Sequence, residues 1–306
     1  MYIASGFNID TTYRFTIFSE REKGVDEYPK IQLTINKPFE FTPQNYYMKD
    51  ETNNIKSFYA DEYYYSYRTS KQKILVTPTD INLICDNESE GYVLVNAFSI
   101  GTVFASRLHH RAIQHGSAFL YKDKAYLIIA DSGFGKSTLC AGMWLYQKTP
   151  IISDDVLCLS SDGTFVYNSV GAVKLTKADT ENFQAKNRFN TVRIHQNQPK
   201  QVCVCNVDMA KQDEYKIGGL FFLRKHLSLD KLYCKKLNSF ESFCELTKNI
   251  KLRHTLSDTM LKNELKILNH IASNTPALEI SLLHNHSSLP KITSQIIKII
   301  ENIRKR

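Results

Sequence analysis

Apolar and polar positions follow two different rhythms along this chain. Over the first 95 residues, short runs rich in β-branched and aromatic side chains predict strands, notably Tyr13–Ser19, Lys30–Ile35 and Lys73–Thr77. Polar stretches such as Lys49–Lys56 are expected to interrupt them. From Val95 to Ile113 the spacing turns helical, with Phe98, Val103, Leu108 and Ala112 on one stripe. Strands are then predicted at Ser117–Tyr121 and Ala125–Ala130, around the turn Lys122-Asp123-Lys124. A loop at Asp131–Gly135 leads into a helix over Lys136–Gln147, and Pro150 blocks its continuation. Ile151–Ser153 reads as a short buried strand ending in Asp154-Asp155. Further on come strands at Gln201–Val207 and Ile217–Leu223, a helix at Asp258–Ala272, a strand at Ala277–Leu283 and a helix at Lys291–Arg304. Strand and helix do not alternate strictly after residue 155, which predicts a mixed α/β sheet rather than a doubly wound one.

The change of rhythm predicts two domains: a small, mainly β domain over residues 1–95 and an α/β domain over residues 96–306. Eleven of the seventeen tyrosines fall in the first, and the cluster Tyr63, Tyr64, Tyr65 and Tyr67 reads as strand packing. Charge divides the same way, −4 over the first 95 residues and +12 over the remainder. A basic α/β domain suits a polyanionic ligand or an acidic substrate. The chain has no Arg-rich tract or zinc-finger spacing, so no nucleic-acid partner is expected. No run of 18 apolar residues and no signal-like start at Met1–Asp10 is present, so neither a membrane partner nor secretion is expected. Seven cysteines without a C-x-x-C pair read as reduced, mostly buried thiols of a cytoplasmic protein, with Cys203 and Cys205 on one face of a strand.

Candidate chemistry is concentrated in one short stretch. Ala130-Asp131-Ser132-Gly133-Phe134-Gly135-Lys136-Ser137 fits G-x-x-x-x-G-K-[ST] with Ala at the first position. Gly133 and Gly135 let the backbone curl so that successive N–H groups point at phosphate oxygens. A helix starting near Lys136 adds the positive end of its dipole. Lys136 is expected at the β and γ phosphates and the Ser137 hydroxyl at Mg²⁺, with Ser132, Phe134 and Thr138 completing the nucleotide-binding set. The predicted strand before and helix after are the context such a loop requires. Asp154-Asp155 follows a return strand from that helix, so the pair is expected beside the loop, where a cation or a proton-transfer task offsets the cost of adjacent carboxylates. His115-Gly116 immediately precedes the first strand of this unit and is a candidate for stabilising charge there.

In that order, His115-Gly116, Asp131-Ser132-Gly133-Phe134-Gly135-Lys136-Ser137 and Asp154-Asp155 closely resemble the catalytic domain of HPr kinase/phosphorylase over about residues 98–160. The segment from Ile217 to the end is similar to the tail of smaller HPr-kinase-like proteins, including those encoded beside modified-peptide precursors. The resemblance implies a phosphoenolpyruvate-carboxykinase-like α/β fold, with Asp155 as the base that deprotonates an acceptor serine. It also implies Lys136 at the phosphates, Ser137 at Mg²⁺ and His115 at the transfer site; Asp154 is assigned by inference to the metal, as a ligand or as a carboxylate just behind its ligands. The chain lacks the family's L-E-[IV]-R-G-x-G segment, a Glu matching its second metal ligand, and its N-terminal region. Both the phosphate-driven reverse reaction and HPr as the acceptor are therefore not expected.

The reading is a Mg²⁺- and ATP-dependent kinase acting on a serine of a peptide or small protein, such as a ribosomal (for example lasso) peptide precursor. The alternatives are a small-molecule hydroxyl kinase on the same scaffold and a nucleotide-binding regulatory module. ATP versus GTP, the acceptor, the role of the N-terminal domain and association into a homo-oligomer are left open.

Overall fold

The computed structural model describes residues 1–15, 23–52, 55–69, 72–85, 93–169, 172–183, 189–193, 200–205, 212–226, 232–283 and 286–304. Two mixed sheets and one small antiparallel sheet carry the chain.

The first sheet holds β1 (Tyr2–Ala4), β2 (Phe7–Asp10), β3 (Lys30–Ile35), β4 (Met48–Thr52), β5 (Ile55–Tyr59), β6 (Tyr64–Thr69), β7 (Gln72–Val76) and β8 (Asp80–Ile84). Their order is β1-β2-β3-β8-β7-β6-β5-β4. β3 lies parallel to β2 and β8, and the other pairs are antiparallel. Alternation along β3 and β8 buries Ile31, Leu33, Ile81 and Leu83 on one face. Against that face packs a π-helical segment, Leu94–Gly101, running into helix α1 (Thr102–Leu108), through Ala97, Phe98, Phe104 and Ala105. The Tyr64 and Phe104 rings stack at 3.7 Å between centroids, and Tyr65 and Tyr67 stack beside Phe58, so these tyrosines pack strands.

Three expectations are corrected here. The helix predicted over Val95–Ile113 ends at Leu108, because His110 takes a positive φ of 57° and Ala112–Gln114 joins a sheet as β9. Tyr13–Phe15, predicted as strand, is irregular, and residues 16–19 lie outside the described ones. The polar stretch Lys49–Lys56 contains β4 and the start of β5; a charged sequence suits β4, which sits at the sheet's edge.

The second sheet adds β10 (Gly116–Tyr121), β11 (Lys124–Ile129), α2 (Lys136–Gln147), β12 (Ile151–Asp154), β13 (Leu157–Leu159) and β14 (Phe165–Tyr167). β15 (Ala172–Thr176), α3 (Lys177–Asn182), β16 (Phe189–Arg193) and β17 (Lys200–Cys205) follow, the three strands forming the small sheet in the order β15-β17-β16. Positions 206–207 of the strand predicted at Gln201–Val207 lie outside the described residues. The long β18 (Glu214–His226), β19 (Tyr233–Leu237), α4 (Ser239–Lys248), α5 (Asp258–Asn274), β20 (Ala277–Leu283) and α6 (Leu289–Arg304) complete the chain. β11 pairs antiparallel with β10 and parallel with β18, which also pairs parallel with β20.

Both faces of this second sheet are covered, which is why β11 and β18 read as continuous apolar runs. Tyr126, Ile128, Phe221 and Leu223 face α2 and α6 through Leu139, Met143, Ile292, Ile296 and Ile300. Leu127, Ile129, Leu220 and Phe222 face α4 and α5 through Leu246, Ile267, Leu268 and Ile271. The two large sheets meet at Arg111. Its guanidinium lies 4.3 Å from the Phe7 ring centroid and 4.4 Å from that of Tyr167, and it donates to the carbonyls of Ser5 and Gly6 at 2.8 and 2.9 Å. Among the described residues no helix is long and apolar enough to cross a membrane. Cys85, Cys140, Cys158 and Cys203 are buried free thiols.

Candidate functional site

β11 delivers the chain to Ala130, buried under α2, so the loop that follows starts from a fixed point. Gly133 and Gly135 take φ of 82° and 85°, a left-handed region where a Cβ is penalised. Gly135 caps α2 and accepts its first intrahelical bond, from the Leu139 amide at 2.8 Å. A Cβ built on Gly133 would meet nothing within 4 Å, so open space borders the loop there. The first turn of α2, Lys136 to Thr138, lines a cavity of about 320 Å³ together with Ser132, Gly133 and Gly135. Its unpaired amides and dipole suit an anion. Phe134, expected in the nucleotide-binding set, packs its ring against the core cluster under α2.

Lys136 is buried, and its ammonium donates to the carbonyls of Ala130 (2.7 Å) and Asp131 (2.9 Å). Burial pushes this ammonium down to about 8, with Asp154 and Asp155 pulling partly the other way.

Asp154 closes β12 opposite Ser117 of β10. Its Oδ1 accepts from the hydroxyls of Ser117 and Ser137, the latter at 3.0 Å. Its Oδ2 accepts from the backbone amide of Lys174 at 2.8 Å. The next residue, Asp155, has φ of 71°, a left-handed conformation that Asp tolerates better than most residues. Its Oδ2 pairs with Lys174 Nζ at 2.8 Å and its Oδ1 with Lys251 Nζ at 2.7 Å. His115 Nδ1 lies 3.2 Å from Oδ1 and 3.1 Å from the Asp155 carbonyl oxygen; the Nδ1–H tautomer donates to both. Burial raises the Asp155 carboxyl, but the His115 bond and the Lys174 and Lys251 ammonium groups prevail and hold it well below the usual carboxylate range.

The predicted residues His115, Ser132, Gly133, Gly135, Lys136, Ser137, Thr138, Asp154 and Asp155 thus border one cavity. Several residues that the sequence did not mark join them. Lys174, Thr176 and Lys200 reach it from the small sheet, and Asp179 from α3. Thr176 and Asp179 form the capping box of α3, a Thr-x-x-Asp signature that was open to reading. Asp179 Oδ1 also lies 3.1 Å from His286 Nε2. Lys251 comes from the turn after α4, stitched to β9 by its own amide to Ile113 O (3.1 Å) and by the His115 amide to Asn249 O (2.8 Å). Nothing in its local sequence marks it.

Among the described residues, no three His, Cys, Asp or Glu side chains gather as a metal cage. The donor set fits a cation held by one hydroxyl and one carboxylate, Ser137 and Asp154, with phosphate and water supplying the remainder. Mg²⁺ bound with phosphates takes that form.

Neither a protein-family model nor a curated protein sequence matches the chain. Among solved structures it is similar to the Hpr(Ser) kinase/phosphatase from Coxiella burnetii, with a TM-score of 0.31 and 10% sequence identity over 63% of this chain and 98% of that one.

Proposed function

We propose that this protein is a cytoplasmic kinase that transfers the γ-phosphoryl group of ATP to a serine hydroxyl of a peptide or small protein, in the manner of HPr-kinase-like enzymes. One observation carries the reading: the Ser137 hydroxyl, in the first turn after a glycine-curled loop, bonds Asp154 at 3.0 Å, beside a second carboxylate on the same cavity. A loop–helix N-terminus binds phosphate, a hydroxyl–carboxylate pair holds a divalent cation, and a neighbouring carboxylate can take a proton.

In this reading the loop amides and Lys136 bind the triphosphate, while Ser137 and Asp154 would hold Mg²⁺. Bound there, Mg²⁺ would supply neutralisation of phosphate charge. Asp155 accepts the proton of the serine hydroxyl as its oxygen bonds the γ-phosphorus. The bond from that phosphorus to the β–γ bridging oxygen breaks, and the bridging oxygen leaves on ADP with the electron pair. His115 holds the Asp155 carboxylate in place. The buried thiols suit a reducing compartment, and the basic α/β portion suits an acidic peptide such as a ribosomal peptide precursor. Transfer is one-way, since the chain lacks the segment tied to phosphate-driven reversal in the family it resembles.

The test incubates the protein with γ-labelled ATP, Mg²⁺ and serine-bearing peptides, and locates the phosphate by mass spectrometry. Labelled phosphoserine supports the reading. Label only on a free sugar, nucleoside or amino acid moves the function to a small-molecule kinase. Nucleotide binding without transfer to any acceptor leaves a regulatory module.

A further inference from the structure

Asp155 presents a conflict within the proposed chemistry. As the proposed base it must meet an acceptor hydroxyl, yet each oxygen of this carboxylate faces an ammonium group within 2.8 Å. In that arrangement an acceptor hydroxyl has to approach oxygens that two cations already face. Departure of either cation would clear an oxygen for the acceptor.

The two lysines are held differently. Lys251 sits on a turn fixed from behind by Arg107, which is buried and donates to the Lys251 and Leu252 carbonyls, the Thr255 hydroxyl (3.0 Å) and Glu264 (2.8 Å). Lys251 is not among the residues that line the cavity, whereas Lys174 is. Lys174 also spans both carboxylates: its backbone amide is fixed on Asp154 and its ammonium rests on Asp155. The second partner of that ammonium is the Ser99 hydroxyl, 3.1 Å away on the π-helical segment. Its main chain is therefore anchored at the cation-binding carboxylate, while its charged end is held by contacts that a stronger anion can outbid. A phosphoryl group in transfer, with charge spread over three oxygens, is such an anion.

We propose that Lys174 is a catalytic cation of phosphoryl transfer, held on Asp155 until it moves to the transferring group, so that one movement both supplies positive charge and frees the base. This rests on the kinase reading above. Lys251 stays behind and keeps Asp155 oriented. The pairing in the structure then has a use: Lys174 waits beside the cavity on Asp155 and Ser99, and its departure towards a phosphoryl group clears the approach to Asp155 Oδ2.

The alternative is that Lys174 and Asp155 form a structural ion pair, and the two predict opposite signs. If the pair is structural, Lys174→Met unmasks the base and turnover holds or rises. If Lys174 is catalytic, turnover of ATP falls by about 100- to 1000-fold, as when one charge-stabilising donor is removed from a transition state. Binding gives a readout independent of the acceptor. Affinity of the variant for ADP with Mg²⁺ and aluminium fluoride, a mimic of the group in transfer, should fall by a similar factor, while affinity for ADP with Mg²⁺ stays within about threefold of wild type. Lys174→Arg should recover part of both, and Lys174→Gln serves if the Met variant does not melt cooperatively. Unchanged aluminium fluoride affinity, or turnover at or above wild type, overturns the proposal while the kinase reading stands. If the wild-type protein binds neither ATP nor ADP, the kinase reading itself fails.

Discussion

The Ser137 hydroxyl donates to Asp154 Oδ1 at 3.0 Å, joining the start of one helix to the end of the strand that returns from it. This bond ties the glycine-curled loop to the carboxylate pair. Ser117, Ser137 and the Lys174 amide fix the orientation of Asp154, with a single donor on its Oδ2.

Replacing that carboxylate separates cation binding from nucleotide binding. Asp154→Asn keeps the shape but removes the charge, so the Mg²⁺-dependent part of ATP affinity should fall about 10- to 100-fold. ATP affinity in EDTA should change little. Calorimetric titration with and without Mg²⁺ reads both. Equal losses in the two conditions would mean that Asp154 supports the loop rather than the cation.

Lys136→Ala removes a buried ammonium and leaves the carbonyls of Ala130 and Asp131 without their donor. ATP turnover should fall by orders of magnitude, about 100-fold or more. Near wild-type transfer of label from γ-labelled ATP would refute the role given to this loop.

Arg107 and Glu264 form an ion pair with side chains about 1% exposed, so removing one partner strands the other. Arg107→Met should destabilise the fold by about 3–5 kcal/mol, and adding Glu264→Met should restore part of that. Urea denaturation of the two single variants and the double variant measures the coupling. Simple additivity would show that the pair does not interact energetically.

Deleting residues 1–95 strips the first sheet from Phe98, Phe104 and Ala105 and takes from Arg111 the Phe7 ring and the Ser5 and Gly6 carbonyls, leaving it Tyr167. The remainder should lose cooperative unfolding rather than persist as a free α/β domain. A sharp thermal transition in the purified 96–306 fragment would contradict this.

Burial raises the Tyr59 phenol to about 12 in the folded protein, against 10.0 otherwise. A raised value favours the protonated form in the native state, so the contribution is fully present below pH 10 and is lost as pH rises towards 12. Stability should decline over that window by up to about 3 kcal/mol, and Tyr59→Phe should flatten the decline. Denaturant midpoints from pH 9 to 12 decide it; identical profiles for the two proteins would assign the loss to other groups.

Local chemistry made part of this protein legible from its sequence. The helix Lys136–Gln147 and the strand Ala277–Leu283 have the predicted bounds, because a glycine start, a proline stop and apolar residues interrupted only at Glu279 and Ser281 are signals carried by neighbouring residues. Helix Ser239–Lys248 was readable too, through its Asn238–Glu241 capping box, but no expectation was placed on it. Loop and carboxylates lie within 25 positions of one another and are brought together by one helix and one return strand. The cations on Asp155 had no such signal. Lys251 is 96 positions away and Lys174 is 19, and a lysine that will meet a carboxylate looks, in sequence, like any solvated lysine. Their meeting depends on the placement of β15 by Asp154 and on the stitching of the Lys251 turn to β9. The sequence by itself thus determined where the glycine-curled loop and the helix after it would sit, because they need only contiguous backbone. The charge placed on the second carboxylate was decided by tertiary structure alone, because it is the sum of groups that only packing brings within 3 Å.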